Sequence, residues 1–190
     1  ACDAADKLGY PVVLKTAQHT ILHKTDVDGV KLRLDSVDGV RDAYSDLANR
    51  LGPQVVVTKM IQERGIEMIL GLVNDEQFGP LVMIGFGGVH AEILNDVVFL
   101  MPPLDTETAM RRLEELKLYK LFDGQRGQPP ADKQAFAETA ANFSLLAATL
   151  GDYVNEIDVN PLLVMQEGCL ALDVLVVPKG PAQPKERSLK

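Results

Sequence analysis

The chain is poor in the features that would make it a covalently stapled, nucleic-acid-binding or membrane-spanning protein. It has two cysteines in 190 residues, Cys2 and Cys169. They form neither a disulfide framework nor a metal-ligand pattern, so a reducing cytoplasm is the expected setting. Positive charge is outnumbered, with a net charge of −8. That argues against a general nucleic-acid or anionic-membrane binder, because such surfaces need clustered Lys and Arg. No apolar run approaches the roughly 18 residues of a membrane span, and no signal peptide is visible. The three histidines, His19, His23 and His90, have no ligand spacing to one another or to cysteine, which speaks against zinc. There is no G-x-S-x-G elbow, no internal repeat and no low-complexity core.

What remains is an ordinary globular composition, 46% apolar and 24% charged, in a length that suits one domain or two packed subdomains. "YPVVLK" reads as a buried strand ending on Lys15, and "VKLRL" as an alternating strand. Ser36 is placed to cap a helix running to about Arg50, with Val40, Tyr44, Leu47 and Leu51 as its stripe and Gly52-Pro53 as its stop. "VVVTKMI", "GIEMILGLV", "PLVMIGF" with "GGVHAEIL", and "VVFLMPPL" follow as neighbouring strands, best read as an antiparallel sheet. Two helices come next, the first capped by Asp105. A final hairpin reads "VNEIDVNPLLV–MQEG–CLALDVLVV". The class is α+β, antiparallel sheets flanked by helices, in two layers with a cleft between subdomains. The opening "ACDAADKLGYP" lacks a helix start signal, so a fragment or a subunit is expected. "PKGPAQPKERSLK", residues 178–190, reads as a disordered tail or linker.

The hairpin carries the sharpest chemistry. Alternation puts Glu156, Asp158 and Asn160 on one face of its first strand. A four-residue loop with Gly168 at positive φ would pair Val164 with Cys169 and set Asn160 opposite Asp173. A three-residue loop would shift that register by one. An amide and two carboxylates on rigid strands suit Mg²⁺, which takes few protein ligands and leaves room for water and phosphate. A solvated strand face accounts for the same alternation, but Asp173 in an apolar run needs a partner or a metal if it is buried. Lys15 and Lys24 can each reach a phosphate or simply snorkel to water. The loop holding His23 and Lys24, with Gly29 nearby, has the make-up of a phosphate cover. "GFGG" has no helix after it, so it marks a bulge or a close backbone approach to a ligand rather than a dinucleotide loop. Glu67 stands in an apolar strand.

Taken together, "GYPVVLK…ILHKTDVDGVKL…VVVTKMI…GIEMILG…FGPLVMIGFGGVHAEIL…LFDGQRGQPPAD…EIDVNPLLV…CLALDVLVV" resembles the ATP-grasp domain of NDP-forming acyl-CoA synthetases. These include the ADP-forming acetyl-CoA synthetases and, more distantly, the succinyl-CoA synthetase β subunit. The resemblance covers residues from about 5 to 177. It implies an ATP-grasp fold over 1–177, with subdomains 1–58 and 59–177 and a nucleotide cleft between them. It implies ATP or ADP and Mg²⁺ as cofactors. Lys15 would contact phosphates, and the loop of His23 and Lys24 would lie over the nucleotide. Lys59, Met60 and Ile61 would form the adenine-holding hinge, and Glu67 would meet the ribose. Asn160 and Asp173 would hold Mg²⁺, and Asp158 would face a phosphohistidine brought from elsewhere. His23 would be a candidate second phosphoryl carrier. The implied partner is a CoA-binding and phosphohistidine domain or subunit in an oligomeric enzyme, with CoA and a small carboxylic acid as substrates. The chain departs from many relatives in carrying Thr58-Lys59 where they have Glu or Gln. A regulatory ATP-grasp module of a protein lysine acetyltransferase-like chain is the competing implication.

Overall fold

The computed structural model describes residues 1–88, 96–124, 127 and 129–180. The chain divides into two compact units, residues 1–62 and 63–190.

The first unit is a three-stranded antiparallel sheet with two helices. α1 (Cys2–Leu8) leads into β1 (Val12–Thr16). β2 (Val30–Leu34), α2 (Val37–Leu51) and β3 (Val55–Lys59) follow, and the strand order is β2-β1-β3. β1 is central, so Val12, Val13 and Leu14 are all buried and the strand reads as an unbroken apolar run. Ser36 caps α2 by accepting the Gly39 N–H at 3.2 Å. The helix buries Val40, Ala43 and Leu47 against Val12 and Leu14, three residues at helical spacing on one stripe. Gly52 ends it at φ 104°, a conformation open to glycine and costly for other residues.

The second unit contains the larger sheet, ordered β6-β5-β4-β7-β8, with one further strand, β9, also paired to β7. β4 (Ile66–Asp75), β5 (Gly79–Phe86) and β6 (Val97–Leu100) are antiparallel neighbours as expected, but "VVVTKMI", read as part of the same run, supplies β3 and pairs with β1 in the first unit's sheet instead. "GGVHAEIL", read as more strand, lies from residue 89 onward outside the described residues. α3 (Thr106–Leu113), capped by Asp105, and α4 (Lys133–Leu150), capped by Asp132, cover one face. The buried side of α4 is mostly alanine, with Phe136 and Phe143 filling the core beside Phe122 and Phe86. Among the described residues no helix is long and apolar enough to cross a membrane.

β7 (Val154–Val164) inserts beside β4, far from it in sequence. Its partner was expected as one strand and is two, β8 (Cys169–Ala171) and β9 (Val174–Pro178). The break lies opposite Pro161. The Leu172 N–H reaches the Pro161 carbonyl at 3.0 Å, but proline has no N–H to return, so the ladder is one-sided there. The proline therefore interrupts pairing on the partner strand while β7 itself runs through. Of the segment expected as a tail, Pro178 closes β9 and Lys179 donates its N–H to the Tyr153 carbonyl at 2.9 Å. Residues 181–190 lie outside the described residues.

Candidate functional site

In the first unit Lys15 occupies the penultimate position of β1, half-buried, in register with Val30 and Val56 on its two neighbours. The loop between β1 and β2 returns to the same place, where the Thr16 N–H donates to the Gly29 carbonyl at 2.8 Å. Lys15 therefore stands at the root of the loop that carries His23 and Lys24. His23 is exposed and Lys24 half-buried. The C-terminal half of this loop is a closed turn. The Gly29 N–H donates to the Lys24 carbonyl at 2.7 Å and the Asp28 N–H to the Thr25 carbonyl at 3.1 Å. A Cβ on Gly29 would lie 2.8 Å from both the Lys24 carbonyl oxygen and Thr16 Cγ2, so this turn requires glycine. Of the hinge candidates, Lys59 ends β3 and is exposed, and Met60 and Ile61 are half-buried. The Met60 N–H is already donated to the Pro11 carbonyl at 3.0 Å. A backbone donor to a bound base would have to come from another of the three.

In the second unit Glu67 lies on β4 and Asp158 and Asn160 on the adjacent β7, while Asp173 lies in the break between β8 and β9, opposite Asn160. Ile157 and Val159 are buried in the core, which turns Glu156, Asp158 and Asn160 to the other face, as alternation demands. The hairpin has the expected register. Gly168 has φ 78°, and the Met165 N–H donates to the Gly168 carbonyl at 3.0 Å. Val164 pairs with Cys169. The Asn160 N–H donates to the Asp173 carbonyl at 3.2 Å. Asp173 is half-buried, and its Oδ1 accepts the Val174 N–H at 3.1 Å.

Two irregularities converge at Asn160. On the β9 side is the proline break. On the β4 side, Met68 pairs with Leu162 and Leu70 with Val159. Two residues of β7, Asn160 and Pro161, therefore oppose Ile69 alone. This is a β-bulge, a device that re-aims a side chain within a sheet. Asp158, just before the bulge, faces Gly71 on β4 and Leu175 on β9, so its β4 neighbour has no side chain.

Glu67 is exposed near the start of β4, close to "GFGG". The Gly87 N–H donates to the Glu67 carbonyl at 2.8 Å. A Cβ on Gly88, at φ 81°, would come within 3.1 Å of Glu67 Oε2. The glycine pair thus lies close to the Glu67 main chain and carboxylate. Sequence reasoning also missed Asp132, which serves the hairpin as well as its own helix. Its Oδ1 accepts the Ala135 N–H at 2.9 Å and its Oδ2 the Gly168 N–H at 3.0 Å. Those backbone donors hold its carboxyl below the usual aspartate range. Its position just before an apolar helix signalled the cap; nothing local signalled the reach to Gly168. Among the described residues no group of three or more His, Cys, Asp or Glu is gathered as a metal cluster.

The sequence family described as the ATP-grasp domain matches residues 1–177. The chain belongs to the ATP-grasp family. Within it, the chain is similar to the β subunit of acetate–CoA ligase (ADP-forming) I of Pyrococcus furiosus, 34% identical over 179 residues, covering 90% of this chain and 76% of that one. It is 38% identical over 184 residues to acetate–CoA ligase (ADP-forming) I of Archaeoglobus fulgidus, covering 93% of this chain but 27% of that protein. This ATP-grasp chain thus spans about a quarter of such a ligase and about three quarters of a separate β subunit. Among solved structures it resembles acetyl-coenzyme A synthetase 1 of Candidatus Korarchaeum cryptofilum, bound to coenzyme A and Ca-AMPCP, with a TM-score of 0.86 and 33% identity over 94% of this chain and 81% of that one. The same protein with coenzyme A and Mg-AMPPCP has its phosphohistidine segment pointing towards the nucleotide binding site, and matches with a TM-score of 0.81 and 34% identity over 94% of this chain and 81% of that one.

Proposed function

We propose that this chain is the nucleotide- and Mg²⁺-binding portion of an ADP-forming acid–CoA ligase. The whole enzyme would convert acyl-CoA, phosphate and ADP reversibly into free acid, CoA and ATP, through an acyl phosphate and a phosphohistidine. The observation that carries the reading is the pairing of Asn160 with Asp173 at a bulge in the ATP-grasp sheet, with Asp158 two residues away on the same face. An amide oxygen and two carboxylates are hard donors. They fit a cation that completes its shell with water and phosphate, as Mg²⁺ does. When bound, that cation supplies charge neutralisation to the transferring phosphoryl group.

The chain's own residues supply the rest by position and charge, which is most of what phosphoryl transfer requires of a protein. Lys15 and Lys24 offer positive charge to phosphates, and Lys59, Met60 and Ile61 offer hinge backbone to a base. Glu67 offers an acceptor for a ribose hydroxyl. The Asp158 carboxylate can accept a hydrogen bond from one nitrogen of an incoming phosphohistidine ring, fixing its tautomer so that the other nitrogen reacts. His23, exposed in its loop, is the candidate for a second phosphoryl carrier. The partner is a CoA-binding and phosphohistidine domain or subunit in an oligomeric, cytoplasmic enzyme. Retention of Lys15, Asn160 and Asp173 favours an active site over a regulatory module of an acetyltransferase-like chain, which has no physical need of them.

The test is ATP formation from acyl-CoA, phosphate and ADP by the complete enzyme, alongside thermal melting with ATP·Mg²⁺ and ADP·Mg²⁺. A ligand at a hundredfold its Kd stabilises by about 2.7 kcal/mol. An enzyme that neither melts later with nucleotide nor makes ATP would sink the reading.

A further inference from the structure

The loop bearing His23 and Lys24 is fastened to helix α2 by an arginine fork. Arg50, on the last turn of α2, donates to the Val27 carbonyl and to the Asp28 carbonyl, both at 3.1 Å. The same guanidinium grips Asp46 one turn earlier through Nε at 2.9 Å and a terminal nitrogen at 2.8 Å. Lys31 on β2 closes the group from the other side, 3.0 Å from Asp46 and 2.5 Å from Asp28. The carbonyls that Arg50 holds belong to the closed turn 24–29, whose Gly29 has no room for a side chain. Asp28 in this turn sits at φ 51°, a left-handed conformation uncommon outside glycine but one that aspartate tolerates. Asp46 aligns Arg50, Arg50 fixes the carbonyls of Val27 and Asp28, and the rigid turn passes that position on to Lys24.

Only a planar fork can do this. A lysine ammonium at position 50 is a point charge and cannot span a carboxylate and two carbonyls at once. As an exposed ion pair the group is worth little to global stability. Its value is local, in limiting the positions available to a 13-residue connection between Thr16 and Val30.

We infer that Arg50, aligned by Asp46, is a positioning residue for nucleotide binding: it holds the His23–Lys24 loop in its binding-competent place without touching the ligand. The inference rests on the ligase reading above. If the loop is competent for only a fraction of the time once released, apparent nucleotide affinity falls by that fraction.

The complete ligase is compared with its Arg50→Gln, Arg50→Lys and Asp46→Asn variants. Arg41→Gln serves as reference, since Arg41 pairs with Asp38 on the same helix. Nucleotide KM should rise more than about threefold in Arg50→Gln, with KM for acid and CoA changing no more than in Arg41→Gln. Arg50→Lys should fail to restore it. Should Arg50→Gln not fold, Asp46→Asn carries the test, with the same selective rise in nucleotide KM. A nucleotide KM within threefold of the wild type in the folded variants overturns the inference, as does a parallel rise in all three KM values. A wild-type enzyme with no response to nucleotide would instead sink the ligase reading, and the two failures are distinguishable.

Discussion

Asn160 and Asp173 face each other across the terminal hairpin, joined by the Asn160 N–H and the Asp173 carbonyl at 3.2 Å. This pair lies where β7 is irregular on both sides, bulged against β4 and interrupted by Pro161 toward its other partner. Regular pairing would hold both side chains perpendicular to the sheet. A bulge is a device that re-aims a side chain within a sheet, as the proposed division between a cation ligand at Asn160 and a histidine partner at Asp158 would require.

The metal assignment makes a selective prediction. Asp173→Ala should abolish the thermal stabilisation by ATP·Mg²⁺ while melting near the wild type without nucleotide. Asn160→Ala should weaken it. Glu156→Gln, on the same face but without an assigned role, should leave the stabilisation intact. The measurement is a melting series against Mg²⁺ at fixed ATP. Retention of the full shift in Asp173→Ala would remove this aspartate from the site.

His23 is exposed in a loop whose C-terminal end is anchored, at Gly29 by the Thr16 N–H and at Val27–Asp28 by Arg50. If it carries a phosphoryl group, His23→Ala should lose overall turnover yet keep nucleotide binding, because Lys15 and Lys24 are untouched. Turnover assays paired with nucleotide titration check this. A variant with ordinary turnover rules the carrier role out.

The parts of the fold that local chemistry dictates were legible in the sequence. Ser36 and Asp105 announced helix starts, and both caps are present. The alternation of "EIDVNPLLV" with Gly168 four residues on announced the hairpin register, and with it the opposition of Asn160 and Asp173. What depends on distant contacts was not legible. The apolar run "CLALDVLVV" hides its break, because the cause lies opposite, in the missing N–H of Pro161. Nothing near Arg50 signals that it reaches carbonyls 22 and 23 residues earlier. "GFGG" reads as a bulge or an approach to a ligand, and its closeness to Glu67 was not legible, since Glu67 comes near only when β4 and β5 pair.

That approach makes Gly88 testable. A methyl group there would press on the Glu67 carboxylate, and φ 81° strains any side chain. Gly88→Ala should displace Glu67 and cost about 1 kcal/mol or more in stability. If Glu67 meets the ribose, nucleotide affinity should fall in Gly88→Ala as it does in Glu67→Ala, and the double variant should be no worse than the poorer single one. Additive losses, measured by nucleotide titration, would separate the two residues.

Asp132 ties the start of α4 to the hairpin loop with one oxygen on each, and the Asp132 N–H adds a bond to the Met165 carbonyl at 2.8 Å. Asp132→Ala removes both side-chain acceptors and should cost about 1–2 kcal/mol. Asp132→Asn keeps one oxygen and turns an amide nitrogen toward the other N–H, so its loss should be intermediate. The pH dependence follows from the sign of the shift. The folded carboxyl titrates below the ordinary aspartate value of 3.8 because the N–H groups of Ala135 and Gly168 stabilise its charge. Its contribution is therefore complete above that ordinary value and is lost as pH falls through the lower folded one. Wild type should lose stability faster than Asp132→Asn as pH drops below about 4, so their denaturation midpoints should converge in acid. Midpoints that stay a constant distance apart from pH 6 to pH 2.5 would mean that Asp132 acts by shape alone and not by its charge.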